Sequence, residues 1–177
     1  MDKIKYKKIE NFLDKKEIDL FSKYSERLHR HYLSIINSST NFEKENHTGI
    51  YAEPLFEILL ELKKPIIEKI TSLKLFSTYS YWRMYTYGAD LPKHTDRPSC
   101  EISATVHLSG TSDNFPIYMD GEAIHTKPGD AIIYKGIELP HWRNELEDDF
   151  QCQVFLHYVD QNGLYKDYKY DKRKSIL

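Results

Sequence analysis

In His94-Thr95-Asp96 an imidazole and a carboxylate stand two residues apart. Side chains at that spacing project to one side of an extended segment, so both can ligate the same ion. A third donor must come from elsewhere in the chain. His141 is the candidate, because it follows a Pro-Gly-Asp turn and an apolar run, 45 residues beyond Asp96. Two histidines and one carboxylate fill only part of a divalent ion's coordination sphere. Substrate and O₂ can then take the open positions of an Fe(II) centre. His94, Asp96 and His141 are therefore the candidate catalytic and metal-binding residues. The remaining histidines fit ordinary roles. His29 and His31 fall on a polar helical stretch and His47 in a loop, while His107 and His157 alternate with apolar strand residues as sheet or core groups. His125 precedes the Pro-Gly-Asp turn and ranks below His141. Cys100 follows Asp96 by four residues, but a thiolate does not suit an open oxygen-activating centre, so it reads as a packing group.

The elements that must position these residues divide the chain of 177 residues into a helical part over about 1–75, a β core over about 76–160 and a tail over 164–177. We read them as a single domain. Asp14 can cap a first helix, with Glu17 closing a capping box, ahead of Leu20, Phe21, Tyr24 and Leu28 at helical spacing. Residues 37–49 are polar and irregular and read as a loop. A second helix starts at Glu53-Pro54, and its expected buried stripe is Leu55, Ile58, Leu59, Leu62, Ile66 and Ile70, with Pro65 kinking the helix without ending it. Both helices are expected to be packing elements. Short β-type runs follow at 76–87, 101–108, 115–119, 131–134 and 153–159, with Lys127-Pro128-Gly129-Asp130 as a turn. Such spacing predicts a β-sandwich or jelly roll, with the helices buttressing one sheet. The Lys- and Tyr-rich tail is expected to be a frayed, solvated end.

Composition excludes several classes. No apolar run reaches the length of a membrane span, and no apolar signal region follows Met-Asp-Lys-Ile-Lys, so secretion is not expected. Two cysteines make no disulfide framework and fit a reducing, cytoplasmic location. Between residues 76 and 163, 6 basic side chains face 13 acidic ones, which argues against a nucleic-acid surface there. Oligomeric state is not legible.

The stretch Tyr85-Thr86-Tyr87-Gly88-Ala89-Asp90-Leu91-Pro92-Lys93-His94-Thr95-Asp96 resembles the Fe(II)/2-oxoglutarate-dependent dioxygenases, and within them the prolyl-4-hydroxylase-like branch. It has that branch's Tyr-x-x-Gly, five intervening residues, then His-x-Asp. Lys127-Pro128-Gly129-Asp130-Ala131-Ile132-Ile133-Tyr134 is similar to the strand before the family's distal histidine, and Leu139-Pro140-His141 supplies that histidine. The resemblance covers roughly residues 76–160, and the helical beginning at 11–21 is similar too. It implies a mainly β fold with flanking α, a double-stranded β-helix (jelly roll, cupin-like) with two N-terminal helices packed on one sheet. It also implies Fe(II), 2-oxoglutarate as cosubstrate, O₂, and ascorbate as a supporting reductant. Such an enzyme oxidises a substrate C–H bond and releases succinate and CO₂. Halogenating relatives lack the carboxylate ligand, so Asp96 favours hydroxylation. A peptidyl proline or a small molecule is the implied substrate.

Family members hold the far carboxylate of 2-oxoglutarate with a Lys or Arg about ten residues after the distal histidine. That place is near Gln151 here, and residues 144–163 contain neither Lys nor Arg. Arg143 shares a face with His141 on an extended segment, and its planar fork suits a carboxylate, so it becomes the expected anchor. Its competing role is a surface arginine answering Glu145 or Glu147. Tyr85 carries over as a hydroxyl donor to 2-oxoglutarate. Arg83 shares a strand face with Tyr85 and is a second carboxylate partner, its other reading being a strand-edge salt bridge. Arg97, next to Asp96, either reaches cosubstrate or substrate or makes a structural ion pair. Trp142 reads as packing. The missing basic residue keeps open a cupin-like metal-dependent protein that does not use 2-oxoglutarate. A non-catalytic binding domain is the remaining alternative.

Overall fold

The computed structural model describes residues 5–36, 47–112 and 114–176. In chain order the elements are β1 (Tyr6–Ile9), α1 (Lys15–Ile36), β2 (His47–Tyr51), α2 (Pro54–Thr71), β3 (Leu75–Thr86), β4 (Leu91–His94), β5 (Ile102–Gly110), β6 (Ile117–Met119), β7 (Glu122–Ile124), β8 (Ala131–Tyr134), β9 (His141–Arg143) and β10 (Phe150–Asp160). A six-stranded sheet runs β1-β8-β5-β10-β3-β2 and a four-stranded sheet runs β4-β9-β6-β7, with every pairing antiparallel. The protein is mainly β.

Period-two alternation gives the large sheet two unlike faces. Trp82 and Met84 of β3, Ala104 and Val106 of β5, Ile133 of β8, and Val154 and Leu156 of β10 join one apolar cluster with Phe21 of α1 and Phe56, Leu59, Leu60 and Ile67 of α2. The residues between them point the other way and, Ile132 of β8 apart, are polar or aromatic. Across the sheet they form rows: Ser103, His157 and Tyr79; then Thr105, Phe155 and Tyr81; then His107, Gln153 and Arg83. The small sheet closes over this second face, where Ile117, Met119 and Ile124 pack with Ile132 and Tyr134.

Local chemistry accounts for the element boundaries. Asp14 Oδ1 accepts from the Lys16 and Glu17 amides while Glu17 Oε2 accepts from the Asp14 amide, closing the box at the start of α1. Glu53 caps α2 through the Leu55 and Phe56 amides, and α2 continues through Pro65 to Thr71. Before β8 the chain turns at Gly129, whose φ of 95° suits glycine. There the Asp130 amide donates to Lys127 O at 2.9 Å.

Three expectations are corrected. The face of α2 turned inward carries Phe56, Leu59, Leu60 and Ile67, whereas Ile58, Leu62 and Ile66 are 46, 64 and 40% exposed. The helix is apolar on both sides, and polar groups that find buried partners decide its rotation. Glu57 accepts from the Ser80 amide and hydroxyl, and Lys63 reaches Phe12 O and Glu17. The loop expected over 37–49 falls outside the described residues up to 46, while residues 47–49 belong to β2, paired with β3. The tail is docked, not frayed. Asp171 accepts from Arg97 and from Tyr51, and Arg173 donates to Glu57 and to Thr78 O. No helix among the described residues is long and apolar enough to cross a membrane.

Candidate metal centre

His94 ends β4 and His141 opens β9, and the two are direct register partners, which sets their rings 4.4 Å apart. The same local device orients both. His94 Nδ1 donates to Pro92 O at 2.7 Å and His141 Nδ1 to Leu139 O at 2.9 Å, each a carbonyl two residues earlier. A neutral imidazole that donates through Nδ1 leaves the Nε2 lone pair free to bind an ion. Both Nε2 atoms face Asp96 Oδ1, at 3.5 and 3.7 Å. The three donors lie within 4.8 Å of one another. His141 is buried, and the His94 side chain is 38% exposed at the mouth.

Asp96 is held from behind. Its amide donates to Gly136 O at 2.8 Å, and Ser103 Oγ donates to its Oδ2 at 3.2 Å. Ser103 Oγ also lies 2.9 Å from His157 Nδ1. Gly136 is there because a Cβ would collide with Asp96 Oδ2 and with the Cys100 carbonyl. The charges of Asp96 and His141 suit ligation. Burial alone would raise the Asp96 pKa, but His94 and the other neighbouring histidines more than offset it and hold the carboxyl low. Burial lowers the pKa of His141, while Asp96 raises that of His94, which gives up its Nε2 proton when an ion binds. A second donor group, Asp96, Cys100 and His157, shares the same carboxylate. Burial pushes the Cys100 thiol up to about 12, so it stays protonated at neutral pH.

Beside these donors a cavity of about 230 Å³ opens, walled by Tyr79, Tyr81, Arg83, Leu91, Phe155 and His157. Next to Arg83 in the sheet stand buried donors without hydrogen-bond partners: Gln153 Nε2 and Gln151 Nε2 of β10, the Tyr85 hydroxyl, and Nε and Nη2 of Arg143, whose guanidinium lies 5.9 Å from the Tyr85 ring. Arg143 is 2% exposed, and its Nη1 donates to Phe115 O. It is therefore not a surface arginine answering Glu145 or Glu147. Unpartnered buried donors are costly, and a dianionic acid with one end at the ion and the other among them would satisfy several at once. The residues present thus fit both an Fe(II) ion and 2-oxoglutarate.

Of the other sequence candidates, Tyr85 is wholly buried against Phe115, and Arg83 lines the cavity with its guanidinium 4.4 Å from the Tyr85 ring centroid. Arg97 points to the tail, pairing with Asp171 at 2.8 and 3.0 Å and stacking on Tyr79. Trp142 stacks on Tyr118, 5.2 Å between centroids. Sequence reasoning missed His157, Ser103, Phe155 and the two glutamines. Their signal was present: Gln151, Gln153, Phe155 and His157 alternate with the apolar Cys152, Val154, Leu156 and Tyr158 along β10.

No family model matches the sequence, and no curated protein matches it. Solved structures do match in fold. HygX from Streptomyces hygroscopicus, with nickel and 2-oxoglutarate bound, superposes with a TM-score of 0.67 at 12% identity, over 91% of this chain and 84% of that one. A Pseudomonas putida prolyl-4-hydroxylase gives 0.62 at 14% identity, over 90 and 94%. The α-ketoglutarate-dependent epimerase SnoN from nogalamycin biosynthesis gives 0.71 at 11% identity, over 98 and 88%. The chain has the fold of the Fe(II)/2-oxoglutarate oxygenases, prolyl-4-hydroxylases among them.

Proposed function

We propose that the protein is an Fe(II)- and 2-oxoglutarate-dependent dioxygenase that hydroxylates a small molecule or a peptidyl proline, built on the double-stranded β-helix that its two facing sheets resemble. The observation that carries this reading is the combination of three preorganised ion donors with a buried arginine that keeps two nitrogens without partners. Bound Fe(II), 2-oxoglutarate and O₂ supply the oxidation of a substrate C–H bond, with release of succinate and CO₂. The chain's own part is positioning. His94 and His141 offer Nε2, Asp96 offers Oδ1, and the carbonyls of Pro92 and Leu139 hold the imidazoles in the required tautomer. Arg143 takes the far carboxylate of 2-oxoglutarate, with the Tyr85 hydroxyl and the amides of Gln151 and Gln153 as further donors. Tyr79, Tyr81 and Phe155 exclude water around the reacting carbon.

Gln151, at the place where the family carries its basic anchor, favours a second reading: a cupin-like metal-dependent protein without 2-oxoglutarate. The two separate on 2-oxoglutarate binding, measured with Mn(II) in place of iron, and on succinate release with Fe(II) and ascorbate. The wild type is expected to bind and to turn over. His94→Ala should abolish turnover, and Arg143→Ala should weaken 2-oxoglutarate about 10- to 100-fold, the worth of a charge-assisted pair. Neither binding nor turnover in the wild type would sink the cosubstrate assignment. Unchanged affinity in Arg143→Ala would move the anchor to Arg83. The hydroxylated product, as opposed to an epimerised or cyclised one, is read by product mass once a substrate is in hand.

A further inference from the structure

Two guanidinium groups flank the Tyr85 ring, Arg83 on the cavity wall and Arg143 buried, and among the described residues neither meets a carboxylate. Arg143 spends one nitrogen on Phe115 O and leaves two without partners. Arg83 donates from Nη2 to His47 Nδ1 at 3.1 Å and to Asp90 O at 3.2 Å, both neutral acceptors, and leaves Nε unpartnered. Asp96 is the one carboxylate among the cavity's lining residues, and it faces the two ligand histidines. A dianionic cosubstrate neutralises the ion and the deep arginine. Among the described residues, no carboxylate then compensates the charge of Arg83 on the cavity wall. A cation in an aromatic-walled, partly enclosed site is costly unless an anion joins it.

The position of Arg83 says which molecule brings that anion. Along the inner face of β3 the order is Tyr79, Tyr81, Arg83, Tyr85, in steps of about 7 Å per two residues. Arg83 lies on the cavity side of this row, beside Tyr81 and Phe155, and lines the cavity together with His94 and Asp96. Arg143 lies beyond the Tyr85 end, buried against Phe115. The Tyr85 ring touches both cations, 4.4 Å from one and 5.9 Å from the other. We propose that Arg83 recognises an anionic group of the primary substrate. That substrate is a small carboxylate-bearing molecule whose apolar body lies against Tyr79, Tyr81 and Phe155. An internal peptidyl proline, which has no carboxylate, is the weaker ligand. The inference rests on 2-oxoglutarate occupying Arg143.

Its test is equilibrium binding to protein loaded with Mn(II) and 2-oxoglutarate, using matched acids and amides. The probes are N-acetyl-L-proline beside N-acetyl-L-prolinamide, and 3-phenylpropionate beside 3-phenylpropionamide. Wild type is expected to prefer at least one acid over its amide by about tenfold, the worth of one charge-assisted hydrogen bond. Arg83→Met should erase that preference and leave 2-oxoglutarate affinity unchanged, and Arg83→Lys should keep part of it. Equal binding of acids and amides, or no acid binding, overturns the proposal without any variant. So does a preference that survives in Arg83→Met. A loss of 2-oxoglutarate affinity in Arg83→Met also overturns it, by making Arg83 a cosubstrate residue. If wild type takes up no 2-oxoglutarate, the proposed function falls, and the acid–amide comparison on protein holding Mn(II) alone still judges Arg83.

Discussion

Gly136 sits where a side chain cannot. Its carbonyl accepts from the Asp96 amide, and its α-carbon faces the Asp96 carboxylate and the Cys100 carbonyl, so a methyl group there must displace one of them. The Cys100 carbonyl is backbone of a short 3-10 turn and yields less readily than a side chain. We therefore expect Gly136→Ala to push Asp96 away from the histidines and to weaken Mn(II) binding about 10- to 100-fold, the usual cost of disturbing groups behind a ligand. An Mn(II) titration followed by paramagnetic resonance measures this, and circular dichroism checks that the fold is kept. Full Mn(II) affinity in a folded Gly136→Ala protein would show that the backing of Asp96 is not needed. The histidine orientation, by contrast, is wholly local. Each ring bonds a carbonyl two residues earlier, so it survives changes elsewhere.

At the scale of elements, the tail is a strap across the helix side and the edge of the site. Glu57 is wholly buried on α2, where it receives the Ser80 amide and hydroxyl, and its one cation among the described residues is Arg173, at 2.6 Å. Removing one partner of such a pair leaves a buried charge in a site of low polarisability. Arg173→Ala is expected to cost about 3 kcal/mol in urea unfolding, and Arg173→Ala with Glu57→Gln to recover part of it. A cost under about 0.5 kcal/mol would assign Arg173 to the ordinary surface class. The strap also engages Arg97 through Asp171, which explains why a basic residue beside a candidate metal ligand takes no part in the cavity. Each inner sheet strand, meanwhile, does two jobs. One face of β10 fills the apolar cluster under the helices, and the other supplies Phe155 and His157 to the cavity wall.

The whole molecule stores a pH dependence between its sheets. His107 is 2% exposed, and burial, with Arg143 nearby, depresses its pKa to about 4. The unfolded chain has the ordinary histidine value of about 6.5, so below it the unfolded state binds the proton that the folded state refuses. The stability linked to His107 is thus complete above pH 6.5 and is lost as pH falls toward 4, amounting to about 3 kcal/mol. Burial depresses the His157 pKa to about 4 as well, so urea unfolding of metal-free protein across that window should show the decline, and His107→Gln should reduce it without abolishing it. Equal slopes in the two proteins would assign the decline to other groups.

Much of this organisation was legible from local patterns. The capping box at Asp14, the turn at Gly129, the strand 131–134 and the His-x-Asp spacing depend only on helical or strand periods, and a one-dimensional string records periods faithfully. So does the pairing of polar and apolar faces on β10, once both alternating sets are taken as meaningful. The fold decided the rest, because those questions are competitions between locally equal answers. Helix α2 is apolar on two sides, and Ser80, Phe12 and Arg173, all distant in sequence, chose which side went in. Arg97 could face cavity or tail, and Asp171, 74 residues away, settled it. Residue types and spacing named the three candidate ion donors. Only the antiparallel register of β4 with β9 brought His94 beside His141, since that contact is made of hydrogen bonds between strands far apart in the chain.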